Sequence, residues 1–414
     1  MSSSYPDNLR AVVAAALGVL VAGPVLAAQT YVVPRVELRA EHNDNFGLAV
    51  ADNPDSSVFG IILDAEALIG IATPRSQTTL RPRVRLQEYP DLDDLELMDN
   101  FTPVEAYLDL RSTYRWQRAN LEWYGRFQRQ DSYNVENPGG AFDPLDPGGG
   151  DTANGAGLRV GETRTQFQLR PTFQFQATER TQLGLSVDYG SVNHDSGGEQ
   201  QRLDYDHWTI DGFVTWKLSP LSELTAGAYL GKYETEGSIS ETETVGGQLG
   251  FTHRWSEATG IEAVVFHESS DVTDFVPVRV DATNSGWGAT VTGWHQREVS
   301  VFRFSAGRRF VPSDDARRAE IDQFRLQYDR NLSQRLAFKG ALRYETRNSP
   351  LPTARSDDRD YARADLSLEW RMTEKWYLGG GYSYIWNDRE QAAGSASNNK
   401  LFIAVGYRGL APPR

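Results

Sequence analysis

Cysteine is absent from the 414 residues. That excludes a disulfide framework, a thiol nucleophile, a lipid-modified cysteine and a zinc–thiolate centre. Histidine is scarce, six in all, and His42, His194, His207, His253, His267 and His295 lie on different segments with no nucleophile motif beside them. His194 and His207 flank a stretch carrying Asp195, Asp204 and Asp206. They are the one pair on which a hydrolase reading can rest, and a solvated loop histidine explains them better. No cofactor motif occurs. The acidic run Asp91, Asp93, Asp94, Glu96 and Asp99 lacks the glycine and spacing of a calcium loop, so no metal site is assigned. Basic residues are outnumbered, giving a net charge of −14, which argues against a nucleic-acid partner.

Long apolar runs are also missing, with one exception. Residues 11–26 (AVVAAALGVLVAGPVL) follow Arg10 and precede Ala27 and Ala28, the pattern of a cleavable export signal spanning 1–28. The run is shorter than the ~20 residues of a spanning helix. Beyond it, mean hydropathy is low (−0.51 for the whole chain), yet aromatics reach 11% and glycines number 37. A sheet in which only alternate residues face lipid reconciles these values.

The alternation itself is explicit in VEAYLDLRSTYRWQ-RAN-LEWYGRFQRQ, starting at Val104. Val104, Ala106, Leu108, Leu110, Tyr114 and Trp116 fall on one face; Glu105, Tyr107, Asp109, Arg111, Thr113 and Arg115 fall on the other. After Arg118, Ala119 and Asn120, the second arm opposes Leu121, Trp123 and Phe127 to Glu122, Tyr124, Arg126 and Gln128. Each arm keeps this period for about 11 to 13 residues, longer than a typical soluble strand of about 5 to 6 and long enough to cross a bilayer at a tilt.

Similar hairpins recur to the C-terminus. Tight reversals fall near Pro74, Ala119, Glu179, Pro220, Glu257, Gln296, Leu332 and Thr373, while the longer acidic, glycine-containing connections alternate with them. This predicts an all-β, up-and-down antiparallel transmembrane barrel over 29–408, of about 18 strands with 16 as the alternative, followed by a short tail at 409–414. The longest interruption, 134–161, is a candidate constriction or external loop.

Two sets of residues follow from the pattern. Arg81, Arg83, Arg85, Glu105, Tyr107, Asp109, Arg111, Arg115, Tyr124, Arg126, Arg164 and Arg170 are expected to face the lumen. They suit a polar or anionic solute, or pair across strands and keep the interior wet. Trp116, Trp123, Trp216, Trp255, Trp294, Trp370 and Trp376 lie near the tight turns, where a membrane interface places indoles.

The segments EHNDNFGLAVADNPDSSVF (41–59) and TPRSQTTLRPRVRLQEYPD (73–91) resemble a porin-like family of outer-membrane β-barrel proteins associated with exopolysaccharide biosynthesis operons. The resemblance implies the outer membrane of a Gram-negative bacterium, with lipid, lipopolysaccharide and the barrel assembly machinery as partners. It also implies passage of polysaccharide alongside export components. The expected function is a channel. A non-conducting structural or adhesion barrel with acidic external loops is the alternative, and an outer-membrane hydrolase a third.

Overall fold

The computed structural model describes residues 29–46, 48, 57–90, 103–131, 163–195, 204–236, 240–274, 280–312, 318–348, 358–389 and 394–410. The leader at 1–28, the 134–161 loop, the acidic run at 91–99 and the tail beyond 410 lie outside them.

The first six strands are β1 (Gln29–Asn43), β2 (Val58–Ala72), β3 (Ser76–Glu88), β4 (Val104–Arg115), β5 (Ala119–Asp131) and β6 (Thr163–Gln176). Next come β7 (Thr181–Asp195), β8 (Tyr205–Ser219), β9 (Ser222–Thr235), β10 (Ser240–Ser256), β11 (Thr259–Asp274) and β12 (Val280–Gln296). The last are β13 (Ser300–Pro312), β14 (Arg318–Asn331), β15 (Leu336–Asn348), β16 (Arg359–Arg371), β17 (Trp376–Arg389) and β18 (Ser395–Arg408). Each strand pairs antiparallel with its sequence neighbours, and β1 also pairs with β18, so the 18-stranded sheet closes on itself. Closure leaves no free sheet edge, the condition for a β wall in hydrocarbon.

Period-2 alternation fixes the faces. Arg81↔Asp109 and Asp109↔Arg126 lie in one transverse row, and the flanking Leu80↔Leu110 and Leu108↔Phe127 point to the opposite face. The apolar face is the exposed one: Val84, Leu86 and Val104 are open, whereas Glu105 is fully buried. The wall is thus inverted relative to a soluble core, as an apolar solvent demands.

Short turns share a local device. In four of them a Thr or Ser hydroxyl accepts the amide three residues on: Ser76 to Thr73 (2.9 Å), Thr181 to Thr178 (3.0 Å), Leu336 to Ser333 (3.0 Å) and Trp376 to Thr373 (3.0 Å). The intervening basic residue offers its carbonyl to the next hairpin, as Arg75 does to the Arg115 amide (2.7 Å) and Lys375 to the Arg408 amide (2.7 Å). Hydroxyl-based turns of this kind are local chemistry written in the sequence.

Two ladders skip residues beside prolines, and another stops short. Between β2 and β3 the register skips from Glu66↔Arg83 to Ile69↔Leu80, and between β6 and β7 from Leu169↔Tyr189 to Thr172↔Ser186. Pro82 and Pro171 sit at these gaps, and proline has no N–H to give a ladder. The β12–β13 ladder ends at Ala289↔Arg308, although β12 runs on to Val280 and β13 to Pro312. There the Phe310 ring occupies the space a side chain on Gly286 would need and meets Phe266 edge-on at 6.3 Å.

Candidate functional site: the lumen wall

All twelve residues expected in the lumen share the inward face. Their partners are mostly one another or nearby acids. Asp109 accepts from Arg81 (2.9 Å) and Arg126 (2.8 Å). Asp64 holds Arg83, and Arg85 at 3.3 Å. Glu105 is reached by Arg85 (3.5 Å), the Tyr107 hydroxyl (2.7 Å) and the Asp131 amide (3.1 Å). Arg170 donates to Asp188 (2.8 Å), and Arg164, buried, donates to Gln166 (3.1 Å). Arg111 and Arg115, nearer the turns, are exposed. In a low-dielectric wall such charges persist because each is matched and hydrogen-bonded.

The same chemistry continues across the closure. Glu37 receives Arg39 (2.7 Å), Arg35 (3.0 Å) and the Tyr377 hydroxyl (2.7 Å), while Arg343–Glu345 and Arg363–Asp365 pair at 2.7 Å each. Strands β8 to β12 differ. Their inward positions are mainly threonine, glycine, glutamine and aromatic, as in Thr225, Gly227, Gln248, Phe213, Tyr229 and Phe266.

The outer face bears apolar side chains between two levels of aromatic rings. Trp116, Trp123, Trp216, Trp255, Trp370 and Trp376 are exposed near the turns. Trp208 and Trp287, which sequence reasoning left out, are exposed toward the loop end; Trp386, also on the outer face, joins them at that level. Trp376 and Trp386 stand on one strand, and ten residues at about 3.3 Å, tilted by about 40°, span about 25 Å, the height of a lipid-facing band. Leu230, Leu249, Val265, Leu342, Leu366 and Ile403 fill the interval. This is a transmembrane β-barrel.

Trp294 corrects the expected girdle. It lies on the lumen side, opposite Arg303, with its ring over Gly260. Proximity to a turn does not decide the face; parity does, and Trp294 shares parity with the inward Thr292 and Thr290.

No family model and no curated protein matches the chain. Among solved structures, the barrel is similar to OccK3 (OpdO) of Pseudomonas aeruginosa, at 10% identity over 91% of this chain and 96% of that one, with a TM-score of 0.42. It is also similar to OccAB4 of Acinetobacter baumannii (10% identity, 92% and 99% coverage, TM-score 0.44). A third is the copper transporter OprC (10% identity, 89% and 64% coverage, TM-score 0.45).

Within the barrel, the loop end is packed and the turn end open. Glu41, Gln130, Thr235, Glu268, Arg347 and Asn387 are buried on inward positions near the loops, whereas Arg111, Arg115 and Arg371 near the turns are exposed. The start of the β1–β2 connection contributes directly. Asp44 accepts the Asn399 amide (2.6 Å), Asn45 donates to the Ser397 carbonyl (2.9 Å), and the Phe46 ring packs 4.7 Å from Tyr89, whose hydroxyl donates to Glu41 (2.9 Å). Leu48 clusters with Tyr361, Ile385 and Ala396, so it reaches across the inner wall. Its φ of 46° is a left-handed conformation costing leucine about 1 kcal/mol, offset by burial. These residues lie in the 41–59 segment, but their inward path depends on Asn399 and Tyr361, more than 300 positions away.

His194 and His207 also face inward: the His194 amide donates to Asp204 (2.7 Å), and the His207 ring lies over Gly190. They are wall residues.

Proposed function

We propose that this barrel is a porin-like channel for small polar solutes, with saccharides as the finer assignment. The observation carrying the proposal is a closed wall of 18 strands whose inward face is predominantly polar. A wall of that strand number is too wide to be filled by its own side chains. Passage of an exopolysaccharide belongs to the same reading and draws support from the sparsely charged arc of β8 to β12, where threonine, glutamine and aromatic side chains suit hydroxyl-rich ligands. The packed loop end favours a second reading, a non-conducting structural barrel. Single-channel conductance of refolded protein in a planar bilayer separates the two. Discrete KCl currents are expected. Silence from protein shown to be folded by heat-modifiable gel mobility overturns the channel reading.

A further inference from the structure

We infer that the inner face of β8 to β11 carries a binding belt for neutral oligosaccharides, built from Phe213, Tyr229 and Phe266 with Asp211, Gln248 and Glu268. It rests on the channel reading for its biological role, but its chemistry is independent of conduction.

Register assembles the belt. One transverse row runs Phe213↔Gly227, Gly227↔Gln248, Gln248↔Phe266, and the adjoining row runs Asp211↔Tyr229, Tyr229↔Gly246, Gly246↔Glu268. The six side chains therefore occupy two adjoining rows across four neighbouring strands. All share the inward parity, and all but the buried Glu268 are partly open to the lumen.

Glycines shape the rings. Phe213 occupies the space a Cβ on Gly184 would need, Tyr229 that of Gly246, and Phe266 that of Gly288. A ring accommodated over a cross-strand glycine lies down along the wall instead of standing into the lumen, and presents a π face to passing solute. A flat ring is the natural partner of the C–H face of a pyranose, burying apolar area while the hydroxyls point outward to polar groups.

Those polar groups are at hand. Gln248 donates to Asp211 Oδ2 (2.9 Å) and the Tyr229 hydroxyl donates to Glu268 Oε2 (2.8 Å), so the acceptors are oriented before any ligand arrives. Asp211 Oδ1 has no protein partner among the described residues. Charge decides the sugar class: the belt's only charges are carboxylates, which repel uronates and sulfated sugars and leave neutral chains favoured. The three-ring spacing suits a chain of several residues more than a monosaccharide.

The test is calorimetric titration of the refolded, detergent-solubilised barrel with maltohexaose and, separately, trigalacturonate. The intact protein is expected to bind maltohexaose and to bind trigalacturonate at least about tenfold more weakly. F213L/F266L is expected to weaken maltohexaose binding about tenfold. F304L is the control, because Phe304 makes the same ring-over-glycine contact with Gly293 on the lipid face and its loss should leave binding unchanged. If F213L/F266L does not fold, D211N and Y229F carry the test, each with about a threefold weakening expected. No heat with maltohexaose, equal affinity in the inner-face variants, or preference for trigalacturonate overturns the belt. Conductance in KCl on the same preparations reads the channel proposal separately, so a silent barrel that binds sugar refutes only that proposal.

Discussion

The wall has two arcs that meet the lumen in opposite ways. From β13 through the closure to β6, long basic side chains are held by carboxylates on neighbouring strands or two residues along the same strand, and the inner surface is a lattice of matched charge. From β8 to β12 small residues and reclining rings give a smooth surface with little fixed charge. A paired lattice resists rearrangement because each group is oriented by two or three others, whereas the smooth arc offers faces that are partly open. Rigidity and recognition are thus divided around the circumference.

Breaking the charged arc should have the largest effect. Glu105 is fully buried and touches Arg85, Tyr107 and the Asp131 amide, so Glu105→Leu takes one carboxylate from the buried Arg85 guanidinium, removes the acceptor of the Tyr107 hydroxyl and the Asp131 amide, and is expected to cost about 3 kcal/mol. Urea unfolding from lipid vesicles, followed by tryptophan emission, measures it. A midpoint shift below the scatter between preparations would mean that the lattice is not tightly coupled.

Along the smooth arc and its border on β7 the sensitive positions are glycines. A methyl at Gly184 collides with Phe213, whereas one at Gly212 meets nothing within 4 Å. Gly184→Ala should destabilise by about 1–3 kcal/mol and Gly212→Ala by far less, read as the temperature at which gel mobility changes. Equal shifts would show that the rings move aside freely.

The smallest effect belongs to a pair outside both arcs. Arg308 faces outward and pairs with Asp322 (2.6 Å) and Glu320 (2.8 Å) at an exposed position, so Arg308→Ala should change stability by less than about 1 kcal/mol in the same gel assay. A larger loss would assign this pair a role in fastening β13 to β14 beside the shortened ladder.

Much of this was legible in the chain. Alternation is local, so Val104 and Glu105 announce their faces without knowledge of the fold, and eight hydroxyl- or charge-marked reversals set the strand number. What alternation cannot convey is which partner lies across. The belt exists only because the register brings Phe213, Tyr229 and Phe266 into adjoining rows, and Phe46 and Leu48 turn inward because the distant Tyr361, Ile385 and Asn399 receive them. Trp294 shows the complementary error: an aromatic near a turn satisfied one rule while its parity obeyed another.

Joining the first strand to the last imposes an order of events. The ladder Arg35↔Arg408 to Asn43↔Lys400, with Arg35 bonded to Tyr377 across 342 positions, cannot begin until the end of the chain has been made and delivered. Every earlier stage has a raw edge on β1 that hydrocarbon will not tolerate. Insertion must therefore wait for synthesis to finish, and a chain truncated before residue 395 would never acquire a membrane-compatible perimeter, however well its other hairpins form.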